Sequence, residues 1–181
     1  MGTRNITAVF CDGTYKIAQY GQYDGYPSGQ GKTALVFCRK HLTTADGIEE
    51  FRDAIKNARF ATDAELFEGR IGEHPAFDRG VGAVILELII NNVEEIVLKN
   101  SISFVADSLF CEWAYVIDLD NETLEVFKGF NESALSPNER FASVPPHDDS
   151  GYHPVKLLKK YTLNDLPSVE SFLNELEPRD E

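Results

Sequence analysis

Asp12-Gly13 stands between two runs of strand-forming residues, 6–10 and 15–20. A type I′ turn needs positive φ at both central residues, and Asp-Gly is among the few pairs that supply it. The chain therefore opens as a β-hairpin. Behind the second strand comes a cluster of amides, tyrosines and one carboxylate. Residues 21–31 then form a loop with four glycines and Pro27. Polar groups gathered where a strand ends belong to a site more often than to a core.

Further along, residues 32–41 are apolar in the middle and fit a short helix or a strand. Thr43 and Thr44 offer an N-cap to a helix marked by Ile48, Phe51, Ile55 and Ala58. Thr62-x-x-Glu65 is a capping box for a short helix that Gly69 ends. A polar loop with Pro75 covers residues 72–80. Val81, Val84, Ile85, Leu88 and Ile89 then trace one face of a buried helix. Residues 96–98 and 102–105 read as short extended pieces. Residues 113–119 and 124–127 form a second hairpin around Asp120-Asn121-Glu122-Thr123. Its alternation places Trp113, Tyr115, Ile117 and Leu119 on one face. Residues 131–154 are a polar loop. Asp165 or Ser168 caps a last helix through Leu176, and the acidic tail from about residue 177 frays. Two hairpins with helices between them predict an α+β fold: an antiparallel sheet with helices packed on it, in one domain spanning 1–181.

Composition narrows the function classes. The 181 residues carry a net charge of −13, with 30 acidic against 17 basic side chains. Such a surface repels phosphate backbones and anionic lipid, so neither nucleic acid nor membrane is an expected partner. Cys11, Cys38 and Cys111 are odd in number and far apart, which speaks for a reducing compartment. The first apolar run is too short for a signal peptide, and no run is long enough to span a bilayer. Met1-Gly2 is not followed by the Ser or Thr that myristoylation favours at the sixth position, which is Ile6. A cytoplasmic protein is expected.

The chemistry-bearing candidates concentrate in the opening block. Arg4 starts the first strand, and an antiparallel pairing sets it near Gln19, Tyr20 and Gln22. Arg4 and Asp24 are thus expected to meet across the hairpin mouth. With Tyr26, Gln30 and Lys32 they make up the predicted ligand-binding set. Arg forks onto carboxylate or phosphate, amides read amides or bases, and tyrosines supply flat faces. The plainer alternative is an Arg4–Asp24 bridge that merely pins the loop. Residues 25–33, Gly-Tyr-Pro-Ser-Gly-Gln-Gly-Lys-Thr, approximate a phosphate loop, but with five residues where the motif has four. Such a loop needs a parallel strand-loop-helix unit, so weak phosphate binding by Lys32 and loop amides is the fitting expectation. His147-Asp148-Asp149 with His153, and Glu73-His74 with Asp78, have metal-ligand chemistry without a fixed spacing; no metal and no cofactor is expected. Trp113 and Tyr115 read as core.

Gly2-Thr3-Arg4, Ala18-Gln19-Tyr20-Gly21-Gln22 and Asp24-Gly25-Tyr26-Pro27-x-Gly29-Gln30-Gly31 resemble the opening of a family of small uncharacterised proteins of phages, bacteria and fungi. Trp113-x-Tyr115-x-Ile117-Asp118-Leu119 belongs to the same resemblance. It implies an accessory or mobile-element role and no particular activity.

The expected function is a small-molecule binding or sequestering module for a nucleotide-like or other anionic metabolite. A second reading is an inhibitor or adaptor whose acidic surface meets a basic protein. A third is a hydrolase using a thiol such as Cys38, or Thr3 as an N-terminal nucleophile.

Overall fold

A computed structural model of the chain describes residues 2–69 and 74–177. Five strands form the main sheet: β1 (Asn5–Cys11), β2 (Thr14–Gly21), β5 (Trp113–Asp118), β6 (Thr123–Lys128) and β7 (Lys156–Thr162). Their order is β2-β1-β5-β6-β7. Two short strands, β3 (Ala58–Phe60) and β4 (Ile96–Leu98), pair parallel beside it. The helices are α1 (Lys32–His41), α2 (Ala45–Ile55), α3 (Asp63–Phe67), α4 (Ile85–Ile90) and α5 (Val169–Leu176). The protein is α+β, and none of its described helices is long and apolar enough to cross a membrane.

The sheet is mixed, which corrects the expectation of a purely antiparallel one. β1 and β2 pair antiparallel around Asp12 and Gly13, at φ 52° and 75°. β5 and β6 do likewise. The two pairs join through β1 and β5, which run parallel from Asn5↔Trp113 to Phe10↔Asp118. A parallel join needs a long crossover, and the segment carrying α1 to α4 supplies it. The same join sets both hairpin turns side by side. Asp120 accepts from the Asp12 and Gly13 backbone N–H groups at 2.8 and 2.9 Å and ties the turns together.

Alternation along the strands creates two cores. Val9, Ile17, Trp113, Tyr115, Ile117, Leu124 and Val126 face the helices, where Leu35, Phe37, Phe51, Leu86 and Phe172 meet them. Ile6, Ala8, Ala114, Val116 and Phe127 face the other way. That side is closed by irregular chain contributing Val105, Cys111, Phe141 and Val155. Every residue of β5 is buried, as expected of a strand covered on both faces.

Local signals hold where the reason is local. The Thr44 side chain accepts from Gly47 N–H, and Thr62 and Glu65 form a reciprocal capping box. Ser168, rather than Asp165, caps α5. Four readings need correction. Ala58, read as part of the helix marked by Ile48, Phe51 and Ile55, lies in β3, since α2 ends at Ile55. Residues 102–105 lie in a 3-10 turn, not an extended piece. The helix read across Val81 to Ile89 begins as a 3-10 turn and buries Ile85, Leu86 and Ile89 while Val84 and Leu88 are exposed. Gly82 sits there at φ +48°, which α-helix does not accommodate, and Gln30 Oε1 takes the Ala83 N–H at 2.7 Å. Finally, β7 falls in a stretch with Lys156, Lys159 and Lys160, where no strand was expected. It is an edge strand, and lysines on an edge discourage pairing with another chain.

Candidate functional site

Beside the free edge of β2 lies a cleft of about 690 Å³. One wall is the hairpin mouth, with Arg4, Gln19, Tyr20 and Gln22. A second is residues 76–79, and a third is residues 99–101 with Ser103 and Phe104. Two backbone bonds hold these walls against the strand. Gln22 N–H donates to Arg79 C=O at 2.9 Å, and Ser101 N–H donates to Ala18 C=O at 3.0 Å. Gln19 is buried, and its amide donates to Ala76 C=O at 2.8 Å and to Tyr20 C=O at 3.2 Å. The Tyr20 hydroxyl donates to Gln22 Oε1 at 2.5 Å. Its ring meets Phe104 edge-on, with centroids 5.2 Å apart.

The electrostatics of the cleft oppose those of the whole molecule. Arg4, Arg79 and Lys99 all line it. Arg4 lies over the Phe110 ring at 4.9 Å, and none of the three side chains has an ion-pair partner among the described residues. The one acid on the walls, Asp78, uses one oxygen to accept Gly80 N–H at 2.7 Å. A chain with a net charge of −13 thus gathers three unneutralised cations around one cavity.

Half of the predicted ligand set lines this cleft, and half does not. Arg4 and Asp24 form no ion pair. Asp24 instead sits at φ 54° with its C=O accepting Gln30 N–H at 2.8 Å. Tyr26 is exposed, and its C=O accepts the Gly29 and Gly31 N–H groups at 3.0 and 3.2 Å. Gln30 spans two backbones, giving its amide to Tyr23 C=O at 3.3 Å and its oxygen to Ala83 N–H. Lys32 begins α1 as an exposed side chain away from the cavity. Arg79, Lys99 and Phe104 escaped sequence reasoning. The only signal was the scarcity of cations in so acidic a chain, and it bears on Arg79 and Lys99 but not on Phe104.

The glycine-rich loop is not a phosphate cradle. Pro27–Gly31 makes a π-helical turn whose amides are already used. Gly29, Gln30 and Gly31 donate within the loop, and Ser28 N–H donates to the Glu177 carboxylate at 3.0 Å. Gly31 serves close packing instead. A Cβ there would stand 2.7 Å from Tyr115 Cε1, and the fully buried Tyr115 donates its hydroxyl to Gly25 C=O at 2.8 Å. Gly31→Ala is expected to destabilise the fold by about 1–3 kcal/mol, read as a lowered urea midpoint. An unchanged midpoint would mean the loop yields around the methyl.

The remaining chemistry is occupied or buried. Among the described residues, Cys11, Asp12 and Asp120 are the one group whose ligand atoms cluster as a metal site requires. Arg52 already fills it, 3.1 Å from Cys11 Sγ, 3.1 Å from Asp12 Oδ1 and 3.4 Å from Asp120 Oδ1. Residues 147–149 and His153 do not assemble such a group, and His147 Nε2 lies instead 4.0 Å from Asp107 Oδ2. The other metal reading includes Glu73, which lies outside the described residues. Burial pushes the Cys38 thiol well up, which disfavours a thiolate nucleophile. Thr3 is buried, with its C=O accepting Gly25 N–H at 3.0 Å. Trp113 and Tyr115 stack within the core at 6.5 Å.

Fold and cleft together define an α+β protein with an open cationic cavity at a sheet edge. The chain matches no protein-family model, no curated protein and no solved structure.

Proposed function

We propose that the protein is a binding module that captures a small anionic ligand in the cleft beside β2. The observation that carries this reading is the convergence of Arg4, Arg79 and Lys99, none of them paired with a carboxylate. Like charges brought to one concave surface repel one another, and a bound anion relieves that repulsion. A cleft lined with one sign of charge also focuses the local field, so an anion is drawn there despite the acidic surface elsewhere. The polar floor and aromatic edges suit a compact polar metabolite, and the cavity size falls within the usual range for such sites. A sequestering role of this kind accords with the accessory role that the family resemblance implies.

Isothermal titration with inorganic phosphate tests the reading. Arg79→Ala and Lys99→Ala are each expected to weaken binding by roughly tenfold to a hundredfold, as loss of a charged hydrogen bond does. The melting temperature should hold, because both side chains are exposed and support no other group. Equal phosphate affinity in the triple variant Arg4→Ala, Arg79→Ala, Lys99→Ala would remove the cleft as the binding site. Native mass spectrometry gives an independent check: a bound mass carried through purification should be absent from the same triple variant.

A further inference from the structure

We infer that the ligand of this cleft is a nucleotide, its phosphate held by the three cations and its base paired to the backbone of Tyr20. The inference rests on the anion-binding reading above and names its substrate class.

The pairing group follows from strand geometry. In an antiparallel pair, alternate residues turn both N–H and C=O toward the partner strand, and the residues between turn both away. On β2, Ala18 and Gln22 face away from β1. Ala18 C=O accepts from Ser101 N–H, and Gln22 N–H donates to Arg79 C=O. Tyr20 lies between them in the same register, opposite Ile6. Its N–H and C=O therefore also point off the sheet edge, at the cleft that Tyr20 lines. The C=O takes one bond, at 3.2 Å from the Gln19 amide, and retains its second lone pair.

One strand residue with an outward N–H and an open lone pair on its C=O offers a donor beside an acceptor. Every nucleobase carries the complementary edge, an acceptor beside a donor. An extended peptide would need successive free groups along β2, and the Ala18 C=O and the Gln22 N–H on either side of Tyr20 are taken. A bare phosphate would leave most of a cavity of about 690 Å³ unfilled and the Tyr20 edge unmet. The Phe104 and Tyr20 rings beside this edge supply faces for a planar base. Asp78, with one carboxylate oxygen still open, is the acceptor on the walls for a ribose hydroxyl. This donor–acceptor edge does not choose among the four bases, so the class is the nucleoside monophosphates as a whole.

The test compares AMP, GMP, CMP and UMP with ribose 5-phosphate and inorganic phosphate by titration calorimetry and by amide NMR of the unmodified protein. At least one nucleotide is expected to bind tenfold or more tightly than ribose 5-phosphate. That nucleotide should shift the Tyr20 amide resonance and slow its hydrogen exchange, while ribose 5-phosphate leaves both unmoved. Proline is tolerated at outward-facing positions of an edge strand. Tyr20→Pro should therefore lose about tenfold against Tyr20→Ala for the nucleotide only. If ribose 5-phosphate binds as well as every nucleotide, or the Tyr20 amide does not respond, the base-pairing inference falls and the anion site stands. If no phosphate compound binds, inorganic phosphate included, both readings fall.

Discussion

Arg140→Met is expected to cost the folded state about 3–5 kcal/mol, the usual penalty for stranding a buried charge. Arg140 reaches from the long segment between β6 and β7 onto the sheet. There it pairs with Asp118 of β5 and with Glu125 of β6, the latter at 2.6 Å. The side chains are 15% exposed for Arg140, 0% for Asp118 and 6% for Glu125, so solvent does little to screen the loss. Lys160 is 3.8 Å from Glu125 but half exposed, and it compensates only in part. Against a total stability of about 5–15 kcal/mol such a loss is large. Urea unfolding at pH 7 reads it directly. A change under about 1 kcal/mol would mean that water replaces the guanidinium at no great cost. The double change Asp118→Asn, Glu125→Gln in the Arg140→Met background should recover part of the stability, because it removes the stranded charges.

The pH dependence of the same cluster has a definite sign. Burial pushes the Asp118 carboxyl up, but the backbone and side chain of Asn121 together with Arg140 outweigh it and hold it below the usual aspartate range. A depressed carboxyl contributes stability above its unfolded pKa and loses it as pH falls through the folded value. The intact protein should therefore weaken on acidification below about pH 4. In Arg140→Met the cation is gone and no longer offsets the burial of Asp118, so protonation relieves that carboxylate. The stability gap between variant and parent is expected to be widest near pH 7 and to narrow toward pH 4. A gap independent of pH would show that packing, rather than charge, carries the effect of Arg140.

Phe141→Ala is expected to cost a similar 3–5 kcal/mol, for a different reason. Phe141 is 2% exposed, with its ring 4.9 Å from Phe127 and 6.5 Å from Tyr15. It is the largest side chain that the segment between β6 and β7 sends into the core. At its ends that segment is held by Asn131, which donates to Ser108 Oγ at 3.1 Å and to Pro154 C=O at 2.9 Å. Its middle relies on Arg140 and Phe141. Limited proteolysis of Phe141→Ala should open cuts between residues 132 and 150 while the β5–β6 ladder keeps its exchange protection. Since neighbouring anchors share one segment, combining Phe141→Ala with Arg140→Met should cost less than the sum of the two. Full additivity would identify the anchors as independent.

These contacts also mark where sequence reading stopped. Residues 131–154 read as a polar loop, and their composition is polar. Nothing in that composition distinguishes Arg140 and Phe141 from their exposed neighbours, because their burial depends on a sheet face created elsewhere. The lysine pattern of β7 hid a strand for a related reason. Tyr161 packs into the helix-side core and Leu157 into the opposite one, because a register shift at Val126/Phe127 breaks the alternation that would mark a strand. In the candidate site, Arg4, Gln19, Tyr20 and Gln22 were legible because one hairpin sets them together. Asp24, Tyr26, Gln30 and Lys32 lie outside the cleft because the chain turns away from it after β2.

By itself, the sequence determined what short-range chemistry can enforce. Asp12-Gly13 made a turn, Thr44, Thr62 and Ser168 started helices, and the alternation in β5 produced a two-faced strand. Each depends on residues a few positions apart, within reach of one dihedral preference or one hydrogen bond. Only the tertiary structure decided the parallel join of β1 to β5 and the meeting of Arg4, Arg79 and Lys99. Those follow from the sheet order and from two backbone bonds, Gln22 to Arg79 and Ser101 to Ala18. Backbone amides are the same in every residue, so no local pattern of side chains announces which of them will pair.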